Sequence, residues 1–597
     1  MAYSAGFARA DITAYEAGTP MQGWAVPQNL AVTVGTPLNA RAAVFERDGS
    51  KVAYVCADLN FISWAVRHGV LAALARAPAR GLGPHNTMLT ATHTHSGPGG
   101  LSQYMMFNAA CFGFSPKVWS DVVDGIVRSI FAADDSREAA TLRLGHADIP
   151  LCEPVAFNRS LLAHRQNRDV EAGCSLAGAV DRRTLTLRAD DEHGRTLGLI
   201  NWFGVHATNV HSDGTALHGD NKGLAATGLE REVAGDPAFR GEFVAIFAQT
   251  TPGDVQPNFR FDARRRLLIG AHDDDHLSAA HNAEIQVRYA RAAHAAALQS
   301  APLRGPIRAR AMRADMGAVD IDPADAGRRG VRTCPAHIGL GQATGNHEGP
   351  GPLLALEPWL WRYAALRRRL TPGADPKPFF LEVGRGIGGR VLGSLPTRLA
   401  LPLVAPFEPM IGFANAAHRA GTLGADEPWA PNVLPLQLIE IGGLVLAGVP
   451  AEPTLGAGRR LRSTLAEALA HRDEAVRSIV VNGYANAYSG YLTTLEEYLV
   501  QEYEGAATQF GPHTLAAYQT LFRRLARMAD PVDPCADEPG PPADRFDPTA
   551  LIRQRIAGRR GVRGPGSGPA VPAPAHQGNL RAFAPRLDSS RLEHWPS

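Results

Sequence analysis

The sequence predicts a mixed α/β fold. Short apolar runs bounded by turn residues alternate with longer stretches of helical period, and strand signals recur after each helical stretch. At 597 residues the chain is long enough to bury a substantial core, as one large domain with elaborations or as two. In chain order, residues 42–45, 52–56 and 88–91 are short runs of Ala, Val, Leu, Met and aromatic residues and read as strands. Residues 65–77 and 118–132 carry apolar residues at helical spacing. Further strands are predicted over 184–187, 196–203, 243–248, 436–441, 444–449 and 479–483, and helices over 277–299 and 456–471. Residues 494–503 read as one acidic amphipathic helix.

From about residue 530 the composition turns to Pro, Gly, Asp and Arg, as in Asp537-Glu538-Pro539-Gly540-Pro541-Pro542 and Gly564-Pro565-Gly566-Ser567-Gly568-Pro569. Too few apolar residues remain there to offset the ordering entropy, so the chain is expected to divide into a domain over 1–529 and a linker with a disordered tail over 530–597.

Lys and Arg number 60 against 58 Asp and Glu, for a net charge of +2, and the two signs are interspersed. That excludes a nucleic-acid partner or an anionic-membrane footprint spread over the whole surface. Six cysteines without CxxC spacing indicate neither a cysteine zinc site nor a disulfide framework, and they read as buried thiols. No run of about 18 apolar residues predicts a transmembrane segment, and the first residues lack a secretory pattern, so a soluble, cytoplasmic protein is expected.

The chemistry begins at Ala91-Thr92-His93-Thr94-His95-Ser96-Gly97-Pro98-Gly99-Gly100, two imidazoles one residue apart between a strand and a glycine-rich turn. In an extended segment residues i and i+2 share a face, so His93 and His95 can converge on one ion, or one can bind metal while the other meets substrate. Two histidines hydrogen-bonded within a loop is the alternative. His206, after a second strand-like run, taken alone reads as a core histidine. The segment 248–258, rich in Gly, Asp, Pro and Asn, taken alone is ordinary loop chemistry.

Together these segments resemble the neutral, or non-lysosomal, ceramidase family. The resemblance rests on the residue 91–100 segment with Ser102-Gln103-Tyr104, then Asn158-Arg159-Ser160, Asn201-Trp202-Phe203-Gly204-Val205-His206, Gly219-Asp220-Asn221-Lys222-Gly223 and Gly253-Asp254-Val255-Gln256-Pro257-Asn258. It continues through Cys334-Pro335-Ala336, Gly349-Pro350-Gly351, Val449-Pro450-Ala451-Glu452, Gly458-Arg459-Arg460-Leu461-Arg462 and Tyr503-Glu504-Gly505-Ala506-Ala507-Thr508, with the order preserved. It implies a large mixed-sheet zinc hydrolase domain over 1–529 that cleaves the amide bond of N-acylsphingosines at one Zn2+.

By that resemblance the metal ligands are His93, His206, Glu452 and Tyr491, with Tyr488 a weaker candidate for the tyrosine. It puts His95 near the scissile amide as proton donor or oxyanion partner, and Arg159 and Tyr503 at positions that contact an N-acyl amide or lipid substrate. Asp254 and Asn258 are expected to shape their loop.

The chain departs from the family pattern around Glu452, in its tail, at position 256, and in first residues that lack the secretory pattern many relatives carry. Gly and Phe of the usual Pro-Gly-Glu-Phe are Ala451 and Pro453 around the retained Glu452. The tail shows no sign of the family's immunoglobulin-like domain. Gln256 stands where the family has Ser in Gly-Asp-Val-Ser-Pro-Asn. An amide cannot replace a hydroxyl nucleophile, but it can orient water or donate to a carbonyl oxygen. Direct attack by zinc-activated water is therefore the expected mechanism, with His95 and Gln256 as the catalytic side chains. Two alternatives stay open: an amidase or acyltransferase acting on a soluble metabolite, and a zinc-binding homologue with impaired catalysis.

Overall fold

The structure, a computed structural model, describes residues 3–528 except 172, 347, 352–358, 360–361, 363–378, 393–394, 407 and 473–474. The expected tail over 530–597 lies outside the described residues.

Strands Asn39–Arg47 and Ser50–Ala57 show why the chain folds in layers. Ala42, Val44, Ala53 and Val55 point to one side and Ala43, Phe45, Val52 and Tyr54 to the other, and both sets are buried. Strands apolar on both faces need cover on both. One face of their sheet is covered by helices and the other by a second sheet.

The larger sheet contains eight strands: β1 (Tyr3–Asp11), β2 (Asn39–Arg47), β3 (Ser50–Ala57), β4 (Thr87–Ala91), β5 (Glu138–Asp148), β6 (Arg183–Asp190), β7 (Thr196–Trp202) and β8 (Phe239–Ala248). Their order is β8-β7-β6-β5-β1-β2-β3-β4. The smaller sheet runs β9 (Ile307–Asp315), β10 (Val433–Ile441), β11 (Leu444–Gly448), β12 (Ser478–Asn482). Between the sheets lies one apolar layer that includes Phe45, Tyr54, Ile200 and Trp202 from the first and Ile439, Leu446 and Val480 from the second. Asn482 Oδ1 crosses that layer, accepting from Tyr54 Oη at 2.9 Å and Trp202 Nε1 at 3.0 Å.

Helices α1 (Trp64–Ala75), α2 (Pro116–Asp135), α3 (Asp220–Glu232) and α4 (Asp275–Leu298) pack on the larger sheet's side, and α5 (Leu455–Leu469) and α6 (Thr514–Arg527) on the smaller sheet. Gly145 in β5 permits the close approach of α4: a Cβ there would lie 2.0 Å from Ala293 O.

The mixed α/β class follows the predicted alternation. Of these twelve strands three were not predicted, β1, β5 and β9, because their small residues sit among polar or charged ones, as in Ile307-Arg308-Ala309-Arg310-Ala311, and make no apolar run. The helix expected over 494–503 is two short helices, Leu495–Val500 and Tyr503–Ala507, broken at Gln501 in the left-handed region with φ +62°. The six cysteines are not uniformly buried: Cys56 and Cys111 are, but Cys152 is exposed and Cys174 and Cys334 are half-buried, while Cys535 lies outside the described residues. Among the described residues no helix is long and apolar enough to cross a membrane.

What positions the site is the set of parallel strand pairs, β3 with β4, β7 with β8 and β11 with β12. The carboxyl ends of β4, β7, β8, β11 and β12 each lead into a segment that carries a candidate residue, the arrangement in which α/β sheets build ligand sites.

Candidate metal centre

His93 follows β4 by two residues, with its N–H bonded to Leu59 O at 2.9 Å and φ +66°, a left-handed conformation uncommon for a side-chain-bearing residue. A parallel bridge between Thr94 and Ala207 sets His93 and His95 beside His206. Glu452, four residues beyond β11, pairs in parallel with Tyr491. The pairing brings ligand types from four distant parts of the chain to one point.

The two imidazoles are oriented through their outer nitrogens. His93 Nδ1 donates to Asn60 O at 2.6 Å, and His206 Nδ1 to Pro252 O at 2.8 Å and Val255 O at 3.0 Å. Each bond fixes the tautomer that leaves an Nε2 lone pair facing inward, the usual support of a metal-bound histidine. Glu452 Oε2 lies 3.6 Å from His93 Nε2 and 3.2 Å from His206 Nε2. His95 Nε2 is 3.0 Å from His93 Nε2, and the hydroxyl of Tyr491 is 3.5 Å from His206 Nε2.

Burial pushes the His93 imidazole down to about 4 and that of His95 well below its usual value. Burial alone would raise the Glu452 carboxyl, but His93, His206 and the Tyr488 hydroxyl hold it at about 2. Near neutral pH the centre therefore combines neutral His93 and His95 with an ionised carboxylate. Among the described residues no Lys or Arg forms an ion pair with Glu452. A buried anion ringed by nitrogen lone pairs is the donor set of a cation.

Tyr484 and Tyr488 both donate to Glu452, Tyr484 to Oε2 at 3.1 Å and Tyr488 to Oε1. The Tyr484 ring stacks on His93 with centroids 4.1 Å apart. Tyr488, the alternative ligand at the sequence level, thus orients the carboxylate, while Tyr491 stands beside His206.

Arg159 and Tyr503, expected to contact substrate, lie behind Tyr491. Arg159 Nη2 donates to the Tyr491 hydroxyl and to Gly253 O, both at 2.9 Å; Nη1 bonds Glu348 Oε2 at 2.7 Å and Nε bonds Glu504 Oε1 at 2.8 Å. The Tyr503 ring meets that of Tyr491 edge-on at 5.5 Å. The bonds of Arg159 go to the protein, and its geometry is that of a support for Tyr491.

Gln256 pairs with Phe157 and donates through Nε2 to Asn258 O at 2.8 Å, leaving a buried Oε1 without a hydrogen-bond partner. Its side-chain bond stays within its own loop, one residue from the Val255 carbonyl that holds His206. Asp254 accepts from Asn158 at 2.7 Å and from Leu455 N at 2.8 Å, and Asn258 donates to Thr208 O at 2.8 Å and to Glu348 at 3.0 Å, so both tie the loop to its surroundings.

Sequence reasoning missed Asn60, Tyr484, Glu348 and Glu504. For Tyr484 a signal existed, since Tyr484, Tyr488 and Tyr491 place three phenols in one loop after β12.

The loop after Met21 closes over His95. The Trp24 ring meets the imidazole edge-on at 4.8 Å, and Gly23, at φ +134°, passes so near that a Cβ would lie 2.5 Å from His95 Cγ. Gly23→Ala is therefore expected to displace His95 and lower kcat by about 10²-fold, the scale of a 1 Å misplacement. Metal content measured on the same preparation should be unchanged.

Comparison with known proteins places this geometry. The family described as "Neutral/alkaline non-lysosomal ceramidase, N-terminal" matches residues 3–357 and 416–520. The neutral ceramidase of Pseudomonas aeruginosa is 35% identical over 528 residues, covering 88% of this chain and 72% of that one. The neutral ceramidase of Mycobacterium tuberculosis is 31% identical over 551 residues, covering 88% and 76%. A solved structure described as "Ceramidase complexed with C2" is similar with a TM-score of 0.72 at 33% identity, covering 88% of this chain and 75% of that one.

Proposed function

The chain belongs to the neutral/alkaline non-lysosomal ceramidase family, and from that membership we propose that it hydrolyses an N-acyl amide of ceramide type to a fatty acid and a free amine, at one zinc ion held by His93, His206, Glu452 and Tyr491. The observation that carries the reading is the convergence of two backbone-braced Nε2 atoms on one buried, ionised carboxylate. Two imidazole nitrogens, a carboxylate and a phenol oxygen fit the ligand preferences of zinc. When bound, the ion supplies Lewis acidity, polarising the amide carbonyl and lowering the pKa of a water toward about 7.

The remaining work falls to the side chains. His95 Nε2 faces the centre, and no partner at Nδ1 fixes the tautomer. It can take the proton that the attacking water loses and return it to the amine nitrogen as the C–N bond breaks. Burial keeps this imidazole neutral, with a lone pair free for the proton. Tyr491, held by Arg159, shapes the side of the centre next to His206. Gln256 supplies no nucleophile, which leaves water in that role.

A second reading puts the same centre to work on a soluble N-acyl amine. The buried, unpartnered Oε1 of Gln256 favours it, as an acceptor suited to a polar substrate. Hydrolysis of a fluorescent-acyl ceramide and of a short soluble N-acyl amine, with metal content, separates the two for wild type and Gln256→Ser. Because the side-chain bond of Gln256 stays in its loop, wild type is expected to turn over ceramide, and Gln256→Ser to change kcat by less than about tenfold with zinc retained. Ceramide turnover appearing only in Gln256→Ser, or activity confined to the soluble amide, would select the second reading.

A further inference from the structure

Behind the loop that braces His206 lies a second buried cluster with no part in the reaction. His164 ends the short helix Leu161–His164, Asp254 sits between Pro252 and Val255, and Glu497 belongs to Leu495–Val500. All three side chains are 3% exposed or less. His164 Nδ1 lies 3.8 Å from Asp254 Oδ2 and 3.7 Å from Glu497 Oε1. These separations are too long for hydrogen bonds, and Nδ1 has no hydrogen-bond partner at all. They are close to the 3.6 Å between His93 Nε2 and Glu452 Oε2.

Apart from His164 itself, the two carboxylates in this cluster have no cationic side chain beside them among the described residues. Asp254 accepts from Asn158 and Leu455 N, and Glu497 accepts from Asn167 at 2.8 Å, Thr454 at 2.5 Å and Thr494 N at 3.0 Å; every one of these donors is neutral. Among the described residues neither carboxylate forms an ion pair with Lys or Arg. Several other buried carboxylates do have that help: Arg41 serves Asp58 and Glu230, Arg159 serves Glu348 and Glu504, and Arg310 serves Glu440. Burying two adjacent carboxylates without a cation is costly.

We propose that His164, Asp254 and Glu497 form a second, structural metal site, distinct from the catalytic centre, that takes a divalent cation such as Zn2+ or Mn2+. One imidazole and two carboxylates are a common donor set for such ions, and the two negative charges balance the ion's two positive ones. The site has a structural consequence. Asp254 lies within the turn whose Pro252 and Val255 carbonyls hold His206, and it receives the amide of Leu455, three residues beyond Glu452. An ion there would clamp the turn that braces His206, and through Leu455 the segment that carries Glu452, to the helices of His164 and Glu497.

The test is a metal count on the full chain, saturated with Zn2+ or Mn2+, desalted and assayed by elemental analysis. Wild type should carry two equivalents, His93→Ala and His164→Phe one each, and the double variant none. A wild-type count of one at saturation that His164→Phe retains overturns the proposal, with a doubly bonded imidazolium as the simple replacement. A count of one that His164→Phe loses and His93→Ala keeps supports this site and refutes the catalytic centre instead. If His164→Phe does not fold, His93→Ala decides: one equivalent, with a thermal midpoint that rises on adding metal, supports the site, and none overturns it.

Discussion

His93→Ala is expected to lose the catalytic ion and about 10³-fold or more of kcat/KM while the chain remains folded. Lewis-acid stabilisation of an amide transition state is worth several kcal/mol, and each 1.36 kcal/mol is tenfold in rate, so about 4 kcal/mol gives that factor. The loss should be this large because, among the described residues, no other imidazole at the centre has the brace that holds His93. His95 is the nearest imidazole, but its Nδ1 bonds no carbonyl, so it lacks the brace that Asn60 O gives His93. Its Nε2 already faces the centre in the role of proton carrier. Activity and elemental zinc measured on one preparation check the prediction. Wild-type kcat/KM in His93→Ala, or full activity in a metal-free preparation of wild type, would refute the zinc reading.

How far the sequence carried this site depends on where each residue takes its meaning. His93 and His95 are legible because their spacing alone puts both on one face of an extended segment after a strand. His206 is legible as the end of a strand, and only together with the first pair as a ligand. Glu452 and Tyr491 have no local signature; the resemblance found them, and the structure shows them paired as neighbours across a parallel bridge. The partners of Arg159 could not be read at all, since Glu348 and Glu504 lie 189 and 345 positions away and the fold alone selects them. The elements show the same division. Strands with apolar runs were predicted, whereas β9, whose arginines alternate with small residues, acquires its meaning by pairing along its length with β10. The break at Gln501 was missed because the apolar pattern over 494–503 is continuous while the backbone turns left-handed.

Arg159→Met is expected to destabilise the protein by about 3–5 kcal/mol, the scale of removing one partner from a buried ion pair, and to lower kcat with little change in KM. The guanidinium is 3% exposed and faces Glu348 and Glu504, which are equally buried. Burial works against its charge, but Tyr491, Glu504 and Glu348 more than offset that. Without the arginine two carboxylates are left in the interior, and Tyr491 loses the donor that holds its hydroxyl. Arg159→Lys should not restore either property, because one ammonium cannot serve four acceptors that the planar fork reaches in different directions. Converting both acids to amides in Arg159→Met, Glu348→Gln and Glu504→Gln should recover part of the stability but not kcat, since the uncompensated charge is gone while Tyr491 remains without its donor. Urea unfolding and steady-state kinetics on the four proteins separate this from a substrate-contact role. If Arg159 gripped substrate instead, KM would rise in Arg159→Met and the urea midpoint would stay where it is in wild type.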